Sequence, residues 1–291
     1  MNKNVVPVLK LLRIKDWVKN FFVFIPLIFS KHLFHFQPTF KAILGFFFFS
    51  FVSSIVYIFN DIKDVEQDKK HPKKKNRPLP SGAISIKQAQ VLLLMIIILL
   101  TLLSYFLNFD SLLVAILYIL INIFYSLYLK HVVIIDVFCI AAGFVLRIIY
   151  GAVVINVPVS SWLLLTTMFL SLFLALVKRY AEMVNLGDNT TYARKVLNEY
   201  SISYLLQLIT MTSAATILSY ALYTVSERTI QTFNTENLIF TTPFIVFGLF
   251  RYLYLVNKKI SGESPSDALY KDFTMVINIL IYIIVVITLI Y

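Results

Sequence analysis

Cysteine is almost absent from this 291-residue chain. Cys139 stands alone inside an apolar run, so no internal disulfide can form, and a small buried hydrophobe is the usual role of such a residue. Histidine is nearly as scarce. His32, His35, His71 and His131 are scattered and offer no His/Cys cluster with zinc-binding spacing. No glycine-rich nucleotide loop and no Ser-His-Asp order is visible. With 7 glycines and 9 prolines, low-complexity and fibrous repeats are excluded. Charge is scarce too: 14% of residues are Asp, Glu, Lys or Arg, against about 25% in an ordinary soluble domain. No small-residue cleavage site follows the first apolar run, so that run is expected to stay as a span rather than leave with a signal peptide.

What fills the chain is apolar. It is 59% hydrophobic with a mean hydropathy of +0.82. Nine spans are expected, at 20–37, 41–60, 89–108, 111–129, 133–155, 161–177, 203–223, 237–256 and 273–291, each near the ~20 residues a bilayer core needs. Lys31 and His32 interrupt the first. Spans in lipid must bond their backbone internally, so the fold class is all-α: a polytopic membrane helical bundle in a single transmembrane domain, 1–291. The formal charge of +11 reads as topology rather than nucleic-acid binding. With the N-terminus in the cytoplasm, 22 of the 26 basic residues fall on that side, the bias expected of a cell-membrane protein. An odd span number then leaves the C-terminus outside. Two inner loops are long and charged, 61–88 and 178–202.

The first loop opens on Asn60-Asp61-x-x-Asp64-x-x-x-Asp68. On a continuous helix these four side chains share an arc of about 100°, with Glu66 on the far side. Converging carboxylates repel unless a cation lies between them. Mg²⁺ suits such an all-oxygen set and brings phosphates with it. Otherwise the acids form a solvated helix end, with Lys63, Lys69 and Lys70 as counter-ions. His71-Pro-Lys-Lys-Lys-Asn-Arg77-Pro-Leu-Pro-Ser-Gly82 follows, stiffened by its prolines. Its Lys73, Lys75 and Arg77 are candidate phosphate ligands, although positive-inside topology explains some of the lysines. The second loop begins Lys178-Arg179-Tyr180-Ala181-Glu182, basic with one near-membrane acid. It suits a second anionic group, or a snorkelling basic belt.

Inside the fifth span, Asp136 and Arg147 lie about three turns apart on one face. Ionisable groups there are costly unless they face a polar cavity or pair structurally. Asn122, Tyr125 and Ser126 of the fourth span would line the same interior if those helices are neighbours. At the entry to the first span, Lys19 and Asn20 are placed to reach the cytoplasmic site, and Trp17 reads as an interface residue.

The run Asn60 to Asp68 followed by Arg77-Pro-Leu-Pro-Ser-Gly82 resembles the UbiA-type intramembrane prenyltransferases. That resemblance implies nine helices around a central cavity and a diphosphate held on Mg²⁺ at its cytoplasmic mouth. Most members move a prenyl group onto an aromatic acceptor and carry a second Asp-rich motif after span six. This chain has Lys178 to Glu182 instead. With Lys15-x-Trp-x-Lys-Asn20, His71-Pro-x-Lys, Tyr125-Ser-x-x-Leu-Lys130 and Ala142-Gly-Phe-Val-Leu-Arg147, it is similar to the decaprenyl-phosphate phosphoribosyltransferase branch.

The branch implies a soluble donor, 5-phosphoribose 1-diphosphate, and a polyprenyl phosphate acceptor. Asn60, Asp61, Asp64 and Asp68 would hold Mg²⁺ and the diphosphate, and Lys73, Lys75 and Arg77 its oxygens. Lys130, Lys178 and Arg179 would share the remaining phosphates. Asp136, Tyr180 and Glu182 would orient the ribose or stabilise its cationic carbon. Prenyl transfer to an aromatic acceptor is the alternative. A transporter lined by Asp136 and Arg147 is a third reading.

Overall fold

The computed structural model describes residues 5–70, 74–186, 195–258 and 272–291, and among them every regular element is helical. After α1 (Val5–Leu11) the chain runs as a 3-10 helix, Ile14–Phe24, into α2 (Ile25–Phe29). Then come α3 (Phe36–Lys63), α4 (Val65–Lys70), α5 (Ile86–Ser104), α6 (Phe109–Leu127), α7 (Ile135–Val154) and α8 (Ser161–Leu186). The chain ends with α9 (Ile202–Val225), α10 (Glu227–Phe233), α11 (Thr242–Asn257) and α12 (Phe273–Ile290). Short polar residues start the long helices. Ser85, Asn108, Ser201 and Asp272 each accept the N–H three residues on, and Ser85 and Gln88 close a full capping box.

Among the described residues eight helices are long and apolar enough to cross a membrane: α3, α5 to α9, α11 with the 3-10 turn before it, and α12. The span expected at 20–37 is not among them. It is the 3-10 stretch Ile14–Phe24 and the five residues of α2, ending where Lys31 turns left-handed at φ 60°. A 3-10 helix rises about 2.0 Å per residue, so residues 14–29 still advance about 30 Å, the thickness of a hydrocarbon core.

Three residues per turn explain what holds this unusual stretch. Trp17, Asn20 and Val23 recur every third residue and so share one edge. Trp17 Nε1 donates to Ser54 Oγ (3.1 Å), and Asn20 Nδ2 to Ser50 Oγ (3.0 Å) and Ser53 Oγ (3.2 Å). Val23 is buried, and its carbonyl lies where a side chain on Gly151 would be. Only glycine lets α7 approach so closely. Val18 and Phe21 point outward on another edge.

By their contacts the residues form two compact units: 1–28, 32–128 and 146–158 in the first, and 29–31, 129–145 and 159–291 in the second. In the first, α3 is central, with the 3-10 stretch, α5 and α6 against it. α5 inserts Ala89, Ile96 and Leu100 and turns Val91, Leu94, Met95, Ile98 and Leu102 outward, as a lipid-facing helix does. In the second, α8 and α9 form the most extensive pair, with α11 against them. Phe173, Leu176, Leu205, Ile209 and Leu255 are buried in its core. Arg251 bridges both oxygens of Asp272 (3.1 and 2.7 Å), tying the end of α11 to the start of α12. Residues 61–88 fall in the first unit and residues 178–202 in the second.

Candidate active site

In the first unit the chemistry gathers where α3 runs out. Asp64 is the C-cap at φ −92°, ψ 7°, so the helix is not continuous through the acidic motif. Its N–H still bonds Asn60 O (2.9 Å), and Asp68 N–H bonds Asp64 O (2.8 Å). Asp61 and Asp68 therefore stay on one side despite the break, both buried. They meet at Arg77, whose Nη1 lies 3.2 Å from Asp61 Oδ1 and 2.6 Å from Asp68 Oδ2.

The turn after Arg77 fixes it there. Ser81 N–H bonds Arg77 O (3.0 Å), Gly82 N–H bonds Leu79 O (3.0 Å) and Ile84 N–H bonds Pro78 O (3.0 Å). Gly82 takes φ 76°, which only glycine adopts without strain. Leu79 is plugged into the core. The Arg-Pro-Leu-Pro-Ser-Gly element is thus a rigid bracket for one guanidinium.

A second cation arrives from the N-terminal segment. Arg13 Nη2 lies 2.5 Å from Asp61 Oδ1, and its guanidinium stacks over the Tyr57 ring, 4.7 Å from the centroid. Lys74 Nζ stands 3.7 Å from Asp68. Two of the lysines that would serve a solvated helix end are occupied elsewhere: Lys69 pairs with Glu66 (2.7 Å), and Lys63 donates to Ser126 O (3.0 Å). Arg13 and Lys74 were not among the expected site residues. Lys75 is exposed, and Lys19 pairs with Asp16 (2.6 Å). His71 and Lys73 lie outside the described residues, as do residues 187–194 of the second loop.

Arg147 belongs to this unit's interior. Its Nε donates to Asn20 Oδ1 (2.8 Å) and its Nη2 to Tyr118 OH (3.0 Å), with the Phe49 and Tyr118 rings beside it. It clasps the 3-10 stretch to α6. Asn122 turns back to its own helix at Tyr118 O (2.8 Å), and Tyr125 is half-buried.

The second unit holds a different cluster. Arg179 is fully buried, with Nε 2.8 Å from Asp136 Oδ2 and Nη1 2.9 Å from Glu182 Oε2. Tyr200 OH donates to Asp136 Oδ1 (3.0 Å) and accepts the Ile134 N–H (2.8 Å). Ile134 has φ 69°, a conformation costly for a β-branched residue, at the entry to α7. Burial pushes the Tyr200 phenol up to about 12, and the Asp136 carboxylate adds to the shift although the Ile134 N–H opposes it, so Tyr200 remains a proton donor at neutral pH. Tyr200 is a further residue whose role the sequence left unassigned. Tyr180 OH donates to Asn257 Oδ1 (3.0 Å), and Lys130 and Lys178 are half-buried. Asp136 and Arg147 thus have separate partners, although they lie on one helix.

Among the described residues no three His, Cys, Asp or Glu side chains stand close enough to enclose a metal ion. The donor set of the first unit nevertheless suits a hard cation. Asp61 and Asp68 already share one cationic group, and Asn60 Oδ1 is buried with no hydrogen-bond partner. Oxygen donors without nitrogen or sulfur favour Mg²⁺ over zinc. The residues fit the ion once the guanidinium groups move aside.

Residues 21–280 match the model of the UbiA prenyltransferase family. The chain belongs to that family. Among its relatives, the decaprenyl-phosphate phosphoribosyltransferase of Mycolicibacterium smegmatis is 29% identical over 97% of this chain and 92% of its own length. The enzyme of that name from Corynebacterium glutamicum is 36% identical over 74% of this chain and 66% of its own length. The structure of a UbiA homolog from Archaeoglobus fulgidus bound to GPP and Mg²⁺ superposes with a TM-score of 0.70, at 20% identity, covering 98% of this chain and 99% of that one. The UbiA fold and a multi-pass membrane protein follow.

Proposed function

We propose that this chain transfers the 5-phosphoribosyl group from 5-phosphoribose 1-diphosphate to a polyprenyl phosphate, releasing diphosphate. One observation carries the reading beyond family membership. Where most of the family has a second acid-rich motif, this chain has Lys178 to Glu182, and its Arg179 takes up both Asp136 and Glu182. With both carboxylates taken up by that arginine, this loop does not offer the acids a second metal-bound diphosphate would need, while Lys130 and Lys178 supply the positive charge that suits an anionic acceptor. The names of the two relatives support it.

Asn60, Asp61, Asp64 and Asp68 are the residues to hold Mg²⁺ and the donor diphosphate. Bound there, the ion neutralises charge developing on the leaving group. Lys73, Lys75 and Arg77 bind phosphate oxygens, and Lys130 and Lys178 serve the sugar and lipid phosphates. The lipid phosphate is already largely anionic near neutral pH, since a phosphate monoester has its second pKa near ~6, so its oxygen attacks the anomeric carbon without a strong base. Glu182 and Tyr180 orient the ribose. Asp136, buried beneath Arg179, acts by positioning that guanidinium. Arg147 holds the N-terminal segment in place through Asn20, and Lys19, paired with Asp16 in that segment, is a candidate for substrate binding.

We place the protein in the cell membrane as one domain, with the N-terminus and both loops cytoplasmic and the C-terminus outside. That parity requires residues 14–29 to cross as well. The test offers purified protein two substrate pairs, with and without Mg²⁺. One is 5-phosphoribose 1-diphosphate with polyprenyl phosphate. The other is a polyprenyl diphosphate with an aromatic acid. The first pair alone should give a new lipid. Product from the second pair alone would establish the prenyl-transfer alternative.

A further inference from the structure

Asp61 and Asp68 sit in direct contact with three cations, Arg13, Arg77 and Lys74. A bare divalent ion entering this cluster must displace positive groups and leave them facing positive charge. A metal ion that arrives with a diphosphate brings anionic oxygens for the displaced groups. Arg13 is built for such an exchange. Its side chain keeps about a fifth of its surface exposed, so releasing the carboxylate costs little desolvation. Its guanidinium already rests on Tyr57, one turn before Asp61 on α3. That ring holds the group over the helix end whichever anion it faces. Its backbone is pinned at φ 53°, ψ 46° between α1 and the 3-10 helix, with Asp16 N–H bonded to Arg13 O (2.7 Å). Only the side chain needs to move.

We propose that Arg13, with Arg77, is an exchangeable counter-ion that guards Asp61 against metal alone and turns to the phosphate oxygens when metal and diphosphate arrive together. Arg13 is thereby a diphosphate-binding residue that makes metal entry conditional on substrate. The inference rests on the reading of Asn60 to Asp68 as a metal–diphosphate site, but not on which molecule carries the diphosphate.

The test measures Mn²⁺ binding to purified protein in detergent, alone and with inorganic diphosphate. Wild-type protein binds Mn²⁺ weakly alone and more tightly with diphosphate. In Arg13→Ala, Mn²⁺ alone binds roughly tenfold tighter, because a competitor for Asp61 is gone. The gain from added diphosphate falls by roughly tenfold, the scale of one charge-assisted hydrogen bond. Arg13→Gln, which keeps a planar group over Tyr57, shifts both in the same directions and serves if the alanine variant folds poorly. A merely structural role weakens both affinities together. That result, or no change in either, overturns the inference and leaves the site reading intact. Wild-type protein that binds no Mn²⁺ even with diphosphate overturns both.

Discussion

The two arginine–carboxylate clusters use the same chemistry in opposite surroundings. In the first unit the carboxylates of Asp61 and Asp68 are buried while their cations remain open, Arg13 at 22% and Arg77 at 32% side-chain exposure. In the second unit both sides are sealed, with Arg179 at 1% and Asp136 at 0%. A half-open ion pair exchanges partners cheaply when water and an incoming anion take up the cation and an incoming metal ion takes up the carboxylate. A sealed pair cannot, because breaking it strands a charge in low dielectric. The first cluster is therefore suited to receive a ligand, and the second to hold its shape. Tyr200 and the strained Ile134 reinforce the second from outside the pair.

Substitutions separate the two. Arg179→Leu should cost about 3–5 kcal/mol of stability by stranding Asp136, read as a large drop in melting temperature and folded yield in detergent. Asp136→Leu combined with Arg179→Met should recover much of that loss but not activity. Asp68→Asn should do the reverse, lowering turnover about a hundredfold or more, on the scale of lost metal stabilisation, while the melting temperature moves little. Equal melting losses in both variants would erase the distinction.

Gly151→Val tests whether the first unit is simply soft. A side chain driven into the Val23 backbone should cost more than the roughly 1–3 kcal/mol of ordinary core overpacking, which shows as a lower melting temperature. Tyr200→Phe removes the bond donated to Asp136 and the one accepted from Ile134, and should have the smallest effect of the stability variants, about 1.5–3 kcal/mol. Because the Tyr200 phenol is raised to about 12, its contribution is fully present below its unfolded value of about 10 and fades only as pH rises through the folded value. A wild-type stability profile between pH 6 and 9 should carry no Tyr200 step.

Most of the fold was readable because lipid leaves so few options. Long apolar runs between caps could only be helices, and eight of the nine expected spans appear close to their expected limits. The exception is residues 20–37, where Lys31 and His32 interrupt the apolar run and where apolar length alone does not separate a 3-10 stretch from an α-helix. Trp17, Asn20 and Val23 repeat at three, and that spacing marks a 3-10 edge. The spacing of the acidic motif put Asp61 and Asp68 on one side, and the structure joins both at Arg77. The cations that reach these acids are Arg13, Arg77 and Lys74 rather than the Lys63 and Lys69 that a solvated helix end would use, since proximity in sequence does not decide which cation bends back. The choice of arginine could have helped. The chain has only seven arginines against nineteen lysines, and Arg13, Arg77, Arg147, Arg179 and Arg251 each grip named partners, as the rigid fork of arginine favours. Tyr200 carried no local signal, because its partner Asp136 lies 64 residues away.

The most direct measurement is transfer of labelled phosphoribose from 5-phosphoribose 1-diphosphate to polyprenyl phosphate by purified wild-type protein and Asp68→Asn. The account predicts a Mg²⁺-dependent phosphoribosyl lipid from the wild type and almost none from the variant. Equal product from both, or none from a wild-type preparation that consumes polyprenyl diphosphate with an aromatic acid, would contradict it.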